Sequence, residues 1–350
     1  MTKDSIEEAR RSLVARLYPE GIPLLWCPTL THFSQKGRFD TDRIRAHLRV
    51  LAPHVKGILV PGSTGEGWEI SDADSRNLLS IILDIAQALN IHVLVGVLKT
   101  DMPSVLASIR DTLPSLQRRS GLEDPLQAMI HSNVTGFTVC PPKGRDLSRD
   151  QIKEALTEVL DTGLPIALYQ LPQVTDNEMT PQCVAELAAR YPNFYLFKDS
   201  SGHDRVALSG LDLADVFLVR GAEGQYDKWL KSATGPYDGF LLSTANCFAR
   251  ELAELQHLLQ QGKAEQAHTL SRRLEAVIDP CFRMVERFSA GNPFTNANKV
   301  LDHVFAYGAD ATSKEPPLLY SGLRLPARFI QTAIHLLGTQ QLFPARGYLG

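Results

Sequence analysis

The chain has 350 residues, 44% hydrophobic and 21% charged, a composition that supports a large folded core and excludes an extended disordered protein. Its net charge of −3, without a long block of one sign, argues against nucleic acid as a partner, and no stretch is apolar enough for a secretory signal or a membrane span. Five cysteines without a C-x-x-C pair favour a cytoplasmic protein and argue against structural disulfides and zinc.

The first predicted element is an amphipathic helix at residues 5–17. Short apolar runs then predict strands at residues 23–27, 57–60, 92–97, 136–140, 165–169, 194–198, 216–220 and 239–243. Segments with helical spacing separate the strands, among them residues 42–51, 75–89, 149–160 and 181–191. The last of these has Thr180 as a predicted N-cap and Pro181 in its first turn.

The order of these elements predicts an α/β fold. Several strands are continuous apolar runs, as parallel strands covered by helices require. Eight strand–helix units in sequence predict a (β/α)₈ TIM barrel, with a doubly wound sheet as the alternative. We expect an N-terminal helical extension at residues 1–20, the barrel at 21–249 and a C-terminal helical region packed on the barrel at 250–350. Residues 112–124 are predicted to be a surface insertion in the third unit.

The loop after the second strand, P-G-S-T-G-E-G at residues 61–67, carries two hydroxyls between glycines. Ser63, Thr64 and the Gly65 N–H are donors suited to a carboxylate or a phosphate, because glycine lets a ligand approach the backbone closely. An ordinary turn rich in glycine and serine is the alternative. The sequence therefore marks this loop as a candidate anion site.

Two reactive side chains end the fifth and sixth strands, Tyr169 and Lys198. Desolvation at the end of an apolar strand disfavours the ammonium form, so Lys198 is predicted to act as a neutral amine nucleophile. A lysine that extends its amine into solvent is the alternative. A phenol at the end of a strand either moves protons or packs in the core. Since the two strands are successive, we expect the amine and the phenol side by side.

Three motifs occur in order on these strands: G-S-T-G-E at residues 62–66, Y-x-x-P at 169–172 and K-D-S-S-G at 198–202. Together they resemble the dihydrodipicolinate synthase / N-acetylneuraminate lyase family of class I aldolases, over about residues 21–246 and more loosely beyond. The resemblance implies that Lys198 forms a Schiff base with a 2-oxo acid, typically pyruvate, while Tyr169 shuttles protons. It also implies that the serine, threonine and glycine of the first motif hold the carboxylate, without a metal or another cofactor.

Two departures from the family pattern concern the second substrate. Val174 stands where the synthases carry an arginine, and P-P-K-G at residues 141–144 replaces their proline and tyrosines. Both changes disfavour dihydrodipicolinate synthase itself. Lys143 within the second segment either meets an anionic or aromatic acceptor or is simply an exposed lysine.

Other positions resemble the sugar-acid lyases. The segments G-A-E at residues 221–223 and S-T-A-N at 243–246 imply substrate contacts for Gly221, Glu223 and Ser243, although a glycine replaces the next acidic residue of the lyase motif. Ser200, two residues after the lysine, is a further candidate for contact with a hydroxylated substrate.

The function expected from these motifs is an aldolase or lyase that forms or cleaves a carbon–carbon bond of a 2-oxo acid, with an aldehyde or a sugar acid as the other partner. A 2-keto-3-deoxy sugar-acid dehydratase is the alternative. A non-catalytic paralogue that binds 2-oxo acids is less expected because the nucleophile and the shuttle are both present. A phosphate-sugar isomerase is disfavoured because Glu223 would repel phosphate. The family resemblance further implies a homo-oligomer, commonly a tetramer, and a structural role for Asn292, Pro293 and Lys299.

Overall fold

The eight predicted strands are present and form a closed parallel barrel in chain order, from β1 to β8. A computed structural model describes residues 2–350. The strands are β1 (Leu25–Pro28), β2 (Gly57–Val60), β3 (His92–Val97), β4 (Val134–Val139), β5 (Ile166–Gln170), β6 (Phe194–Asp199), β7 (Phe217–Arg220) and β8 (Gly239–Leu241). The predicted TIM barrel is thereby confirmed, and the doubly wound alternative is wrong because its sheet would be open.

α-Helices connect the strands from β1 to β6 and follow β8, whereas the connections from β6 to β7 and from β7 to β8, both described in full, contain only the short 3₁₀ turns Ala207–Ser209 and Lys231–Ala233. Within residues 2–350 the α-helices are α1 (Lys3–Leu17), α2 (Thr41–Leu51), α3 (Asp72–Leu89), α4 (Met102–Ser120), α5 (Pro125–His131), α6 (Arg149–Leu160), α7 (Pro172–Thr175), α8 (Pro181–Arg190), α9 (Ala245–Gln260), α10 (Ala264–Val285), α11 (Pro293–Tyr307) and α12 (Ala327–Thr339). None of the helices in this range combines the length and the apolar character needed to cross a membrane. The predicted cap of α8 is confirmed, because the Thr180 hydroxyl accepts a hydrogen bond from Cys183 N–H.

The predicted surface insertion at residues 112–124 was wrong. Helix α4 continues without a break to Ser120 and ends at Gly121, whose φ of 72° suits glycine. Pro114 lies inside the helix and removes a backbone N–H donor, a local cost that usually ends a helix. Leu116 is nevertheless 1% exposed, so burial of the apolar face of α4 outweighs the single missing hydrogen bond.

By its contacts the chain divides into two compact units. Unit 1 contains the chain up to Leu24, His92–Ala222 and Pro236–Leu241, and therefore α1, β3 to β8 and α4 to α8. Unit 2 contains Leu25–Ile91, Glu223–Gly235 and Leu242–Gly350, and therefore β1, β2, α2, α3 and α9 to α12. The division at residues 20/21 and 249/250 stays a prediction from the sequence.

Within unit 1, Arg10 anchors the N-terminal helix to the base of β6. Its side chain is fully buried, and its guanidinium donates to four backbone carbonyls: Phe194 and Tyr191 at 2.8 Å, Ala188 and Ala214. Burial lowers the pKa of Arg10 to about 10, which leaves the side chain charged at neutral pH. Because Phe194 begins β6, the strand that carries Lys198 is held at its opposite end by a residue of α1.

Replacing Arg10 by methionine, which keeps most of the aliphatic stem but not the guanidinium, is expected to lower the free energy of unfolding by at least about 3 kcal/mol, since it removes a donor from four backbone carbonyls. Urea unfolding followed by circular dichroism measures this loss. The neighbouring Arg11→Ala is the matched control, because Arg11 is exposed and its ion pairs, with the exposed Asp215 and with Glu7 one helical turn away, are of the weak surface kind. It should change the free energy of unfolding by less than about 0.5 kcal/mol. An R10M midpoint equal to that of R11A would contradict the anchoring role.

Candidate active site

Lys198 and Tyr169 lie side by side at the ends of adjacent strands of unit 1. The two residues are register partners between β5 and β6. The Lys198 Nζ lies 3.9 Å from the centroid of the Tyr169 ring, and both side chains are buried, at 4% and 2% exposure. The ammonium form of a lysine is attracted electrostatically to the face of an electron-rich ring. The predicted proximity of amine and phenol is therefore present, within a desolvated setting.

The turn after β6 is held by hydrogen bonds from three directions. The Asp199 carboxylate accepts from Ser201 N–H at 2.9 Å, and Ser200 N–H donates to the Gln170 carbonyl at 3.0 Å. The Asp199 carbonyl accepts from Gly221 N–H at 2.6 Å. Burial raises the pKa of Asp199, against the effect of the Ser201 hydrogen bonds. These bonds fix Ser200, a predicted substrate contact, in a defined place beside the lysine strand.

Gly221 follows β7 and packs directly on the reactive lysine. A β-carbon at this position would lie 2.1 Å from the Ser200 Oγ and 2.8 Å from the Lys198 Cε. Real contacts between β-carbons and other heavy atoms are never that short. A β-carbon at Gly221 would therefore force the ends of the Ser200 and Lys198 side chains to move. The sequence did not predict this contact, and the substrate contact of Gly221 stays a prediction.

A buried ion pair that the sequence did not predict supports the same loops of unit 1. Arg220, the last residue of β7, makes two hydrogen bonds to Asp204, at 3.0 and 3.2 Å. Asp204 also accepts from the Tyr237 hydroxyl at 2.6 Å, and Arg220 donates to the Ala222 carbonyl at 2.8 Å. The pair joins the loop after β6 to the loop after β7. Its two members are 16 residues apart in sequence, and nothing in the local pattern relates them.

In unit 2, Ser63, Thr64 and Gly65 form one turn of 3₁₀-helix directly after β2. The Ser63 hydroxyl accepts from the indole N–H of Trp68 at 2.8 Å, which directs its own proton away from the indole. A β-carbon on Gly65 would lie 2.5 Å from the Thr29 carbonyl oxygen, so only glycine fits there. The Gly65 N–H donates to the Gly62 carbonyl at 3.0 Å, an acceptor that competes with the carboxylate predicted for it.

Glu223 and Ser243, also in unit 2, contact each other. The Glu223 carboxylate accepts from the Ser243 hydroxyl at 2.6 Å, from the Thr244 hydroxyl and N–H at 2.6 and 3.1 Å, and from the Tyr226 hydroxyl at 2.9 Å. Four donors use the acceptor directions of an ionised carboxylate. The acid therefore holds the loop after β8 in place, and the predicted substrate contacts of both residues stay predictions.

The residues predicted to bear on the second substrate lie in unit 1. Lys143 is exposed and forms an ion pair with Asp176 at 3.5 Å. Val174 lies two residues before Asp176, within the short helix α7, and is half-buried. An anionic acceptor would have to compete with Asp176 for the Lys143 amine. The existing ion pair is exposed to water, where such pairs are weak.

Among residues 2–350, one group of side chains has the composition of a metal site: His32, His47 and Asp302, all buried in unit 2, with donor atoms within 4.8 Å of one another. Asp302, however, accepts from Arg43 and from the Tyr348 hydroxyl, each at 2.8 Å. Burial, followed by the charge of Arg43, holds the pKa of His32 well below its usual range, so this histidine is neutral. The positive charge of Arg43 already compensates the negative charge of Asp302, and His32 is hydrogen-bonded to His47 at 3.0 Å. These buried side chains bond one another and form a structural network.

Similarity to known proteins covers most of the chain. The sequence model of the Dihydrodipicolinate synthetase family matches residues 135–313. A 4-hydroxy-tetrahydrodipicolinate synthase of Methanospirillum hungatei JF-1 is 25% identical over 265 residues, which are 75% of this chain and 82% of the relative. Two solved structures share the fold. One is a 2-keto-3-deoxygluconate aldolase of Sulfolobus sulfataricus in complex with D-KDPG (TM-score 0.71, 16% identity, 91% of this chain and 96% of that one). The other is a prophage protein of E. coli K12 in complex with pyruvate (TM-score 0.70, 19% identity, 91% and 98%).

Proposed function

The chain belongs to the dihydrodipicolinate synthetase family, whose lyases and aldolases make or break carbon–carbon bonds, and from this premise we propose that it acts on a 2-oxo acid through an imine on Lys198. The observation that carries the proposal is the buried Lys198 amine 3.9 Å from the Tyr169 ring. A buried amine beside a phenol supplies both the nucleophile and the proton donor that imine formation needs.

The chemistry follows from these two groups. The neutral amine attacks the ketone carbon, the ketone oxygen takes a proton, and loss of water leaves the protonated imine. Tyr169 is the group that gives and takes these protons. In the synthetic direction the neighbouring carbon gives a proton to Tyr169, and the enamine so formed attacks the aldehyde, whose oxygen takes up a proton. In the cleavage direction the substrate hydroxyl loses its proton, the carbon–carbon bond breaks to release the aldehyde, and the same enamine is left to be protonated at that carbon. Hydrolysis returns the lysine and the 2-oxo acid.

The roles of the remaining residues are part of the same proposal. The hydroxyls of Ser63 and Thr64 donate to the carboxylate of the 2-oxo acid, and their fixed turn means that little reorganisation is needed. Gly65 contributes chiefly through its close packing, since its N–H already has an acceptor. Ser200 is proposed to contact the rest of the substrate. Gly221, Glu223 and Ser243 shape that part of the site, the last two through their mutual hydrogen bond.

The identity of the second substrate distinguishes the candidate functions. An aldehyde without a second carboxylate, or a sugar acid, is favoured by Val174, which cannot pair with a carboxylate as an arginine does. The named activity of the sequence relatives, 4-hydroxy-tetrahydrodipicolinate synthase, is the second candidate. A dehydratase acting on a 2-keto-3-deoxy sugar acid would use the same imine.

We further propose that the protein is a homo-oligomer, by resemblance a tetramer, and that it is cytoplasmic.

Intact mass after borohydride reduction with a panel of 2-oxo acids tests the function. We expect pyruvate to add its own mass less one oxygen atom, on one lysine, found at Lys198 after digestion. Product analysis with aldehydes that do and do not carry a carboxylate then separates the candidates. Formation of 4-hydroxy-tetrahydrodipicolinate would identify the synthase, and a dehydrated keto acid the dehydratase. A protein that gains no mass with any 2-oxo acid does not work through this imine.

A further inference from the structure

The beginning of α11 is bonded to the backbone of the Ser63–Gly65 turn, within unit 2. The Thr295 hydroxyl lies 3.1 Å from the Ser63 carbonyl and 3.0 Å from the Thr64 carbonyl, and it donates to both. The Asn292 side-chain amide donates to the Ser63 carbonyl at 3.0 Å. The oxygen of the same amide caps α11 by accepting from Thr295 N–H at 2.9 Å. Two residues of one helix start thus bind both carbonyls of the turn.

One helical turn later, α11 also binds the residue that follows the turn. Lys299 forms a buried ion pair with Glu66 and donates to the Leu318 carbonyl at 2.8 Å. Glu66 has a left-handed backbone, with a φ of 63°, and its other oxygen accepts from Tyr320 N–H at 2.7 Å. Burial lowers the pKa of Lys299, against the charge of Glu66. The ion pair therefore holds the strained end of the segment from 63 to 66.

The spacing of Thr295 and Lys299 explains why α11 contacts both the Ser63–Gly65 turn and Glu66. Thr295 and Lys299 are four residues apart, so they lie on the same face of α11. Thr295 is fully buried, and its hydroxyl spans two successive peptide groups. The bonds to the two carbonyls restrain the two peptide planes, and so the backbone positions from which the Ser63 and Thr64 side chains start.

We propose that Thr295 is a positioning residue for the carboxylate-binding turn. It acts through the peptide groups of Ser63 and Thr64 and sets the directions of their hydroxyls. The proposal rests on the proposed function, which assigns those hydroxyls to the carboxylate of the 2-oxo acid. Its consequence is that a residue more than 200 positions away in sequence governs affinity for the acid group, while the reactive amine of Lys198 is untouched.

Thr295→Val is the variant that isolates this role, because it keeps the shape of the side chain and removes the hydroxyl. Thr295→Ser is the matched control, because it keeps the hydroxyl. Lys299 is less suited, since its loss would leave Glu66 as an unpaired buried charge and unfold the region. Borohydride trapping at a series of pyruvate concentrations measures the half-saturating concentration, and thermal unfolding confirms that each variant is folded.

We expect T295V to raise the half-saturating pyruvate concentration roughly tenfold, with T295S near the parent, because charge-assisted hydrogen bonds weaken when their donors are misaligned. Turnover at saturating pyruvate should stay within about threefold of the parent protein's turnover, since Lys198 is unchanged. Pyruvamide, which lacks the carboxylate, provides the readout that a purely structural role would not produce. Its half-saturation should not differ between T295V and T295S.

A T295V protein that binds pyruvate as T295S does overturns the proposal, and so does an equal loss for pyruvate and pyruvamide. If T295V does not fold, Asn292→Ser replaces it, because serine preserves the helix cap and cannot make the bond from Asn292 to the Ser63 carbonyl. The same shift for pyruvate alone is then expected, and its absence overturns the proposal. Failure of the parent protein to trap pyruvate is a different result, since it removes the proposed function itself.

Discussion

Replacing Lys198 by alanine is expected to lower kcat by roughly 10⁴-fold or more, the scale on which loss of a covalent nucleophile acts. No other group in the proposed chemistry can form the imine, so borohydride trapping with pyruvate should disappear together with the activity. The fold should survive, because the substitution removes a buried amine from the end of β6 and leaves the backbone bonds of the following turn in place. Steady-state rates and intact mass measure the two effects.

Two further variants make the result specific. Lys198→Arg keeps a positive charge at the site, but a guanidinium does not give up its proton in proteins and cannot attack a ketone, so it should be as inactive as alanine. Lys36→Ala removes an exposed lysine and should trap pyruvate as the parent does. Trapping that persists in K198A, or an active K198R, would place the imine on another residue and end the assignment.

Replacing Gly221 by alanine is expected to lower kcat/KM by roughly 10²-fold, the cost of moving a reacting group by about an ångström. The added methyl group would lie 2.8 Å from the Lys198 Cε and 2.1 Å from the Ser200 Oγ, so both side chains must move. Both are ends of side chains, which can shift without rebuilding the strand. We therefore expect a folded protein whose imine forms slowly, measured by the rate of trapping.

The double variant Gly221→Ala with Ser200→Ala separates the two clashes. Removing the Ser200 hydroxyl relieves the shorter one and leaves the contact with Lys198, so recovery of the trapping rate should be partial. Gly338→Ala in α12 is the matched control, since no heavy atom lies within 4 Å of the added methyl group and helices favour alanine. A G221A enzyme as fast as G338A would mean that the lysine is not held by this contact.

The sequence predicted the barrel well because each strand is a local pattern. All eight strands were found within two residues of their predicted ends. The surface insertion predicted at residues 112–124 is wrong for the opposite reason, because packing between distant segments decides the structure there. Gly121 does end α4, but Pro114, the other local signal for a break, does not. The burial of Leu116 depends on neighbours that are distant in the chain. Tertiary packing overrode the local preference, and the helix continued.

The candidate site divides in the same way. The pairing of Lys198 with Tyr169 could be predicted from the sequence because the two residues end successive strands, and the Ser63–Gly65 turn could be named from its own local motif. The support of these residues could not be named. The ion pair between Arg220 and Asp204 and the hydrogen bonds of Thr295 join segments whose separation in sequence carries no periodic signal.

What the sequence by itself determined was the fold class, the lysine and tyrosine side by side at the ends of adjacent strands, and the polar turn after β2, because hydrophobic periodicity and the motifs at strand ends are properties of short segments. What only the tertiary structure decided was the occupancy of the polar groups. The Gly65 N–H and the Glu223 carboxylate already have partners, Lys143 is paired with Asp176, and Thr295 donates to the Ser63–Gly65 turn. A polar group can make only a few hydrogen bonds, so its role depends on which residues already bond it. Most of those partners are distant in sequence, and only the packing of the folded chain brings them together.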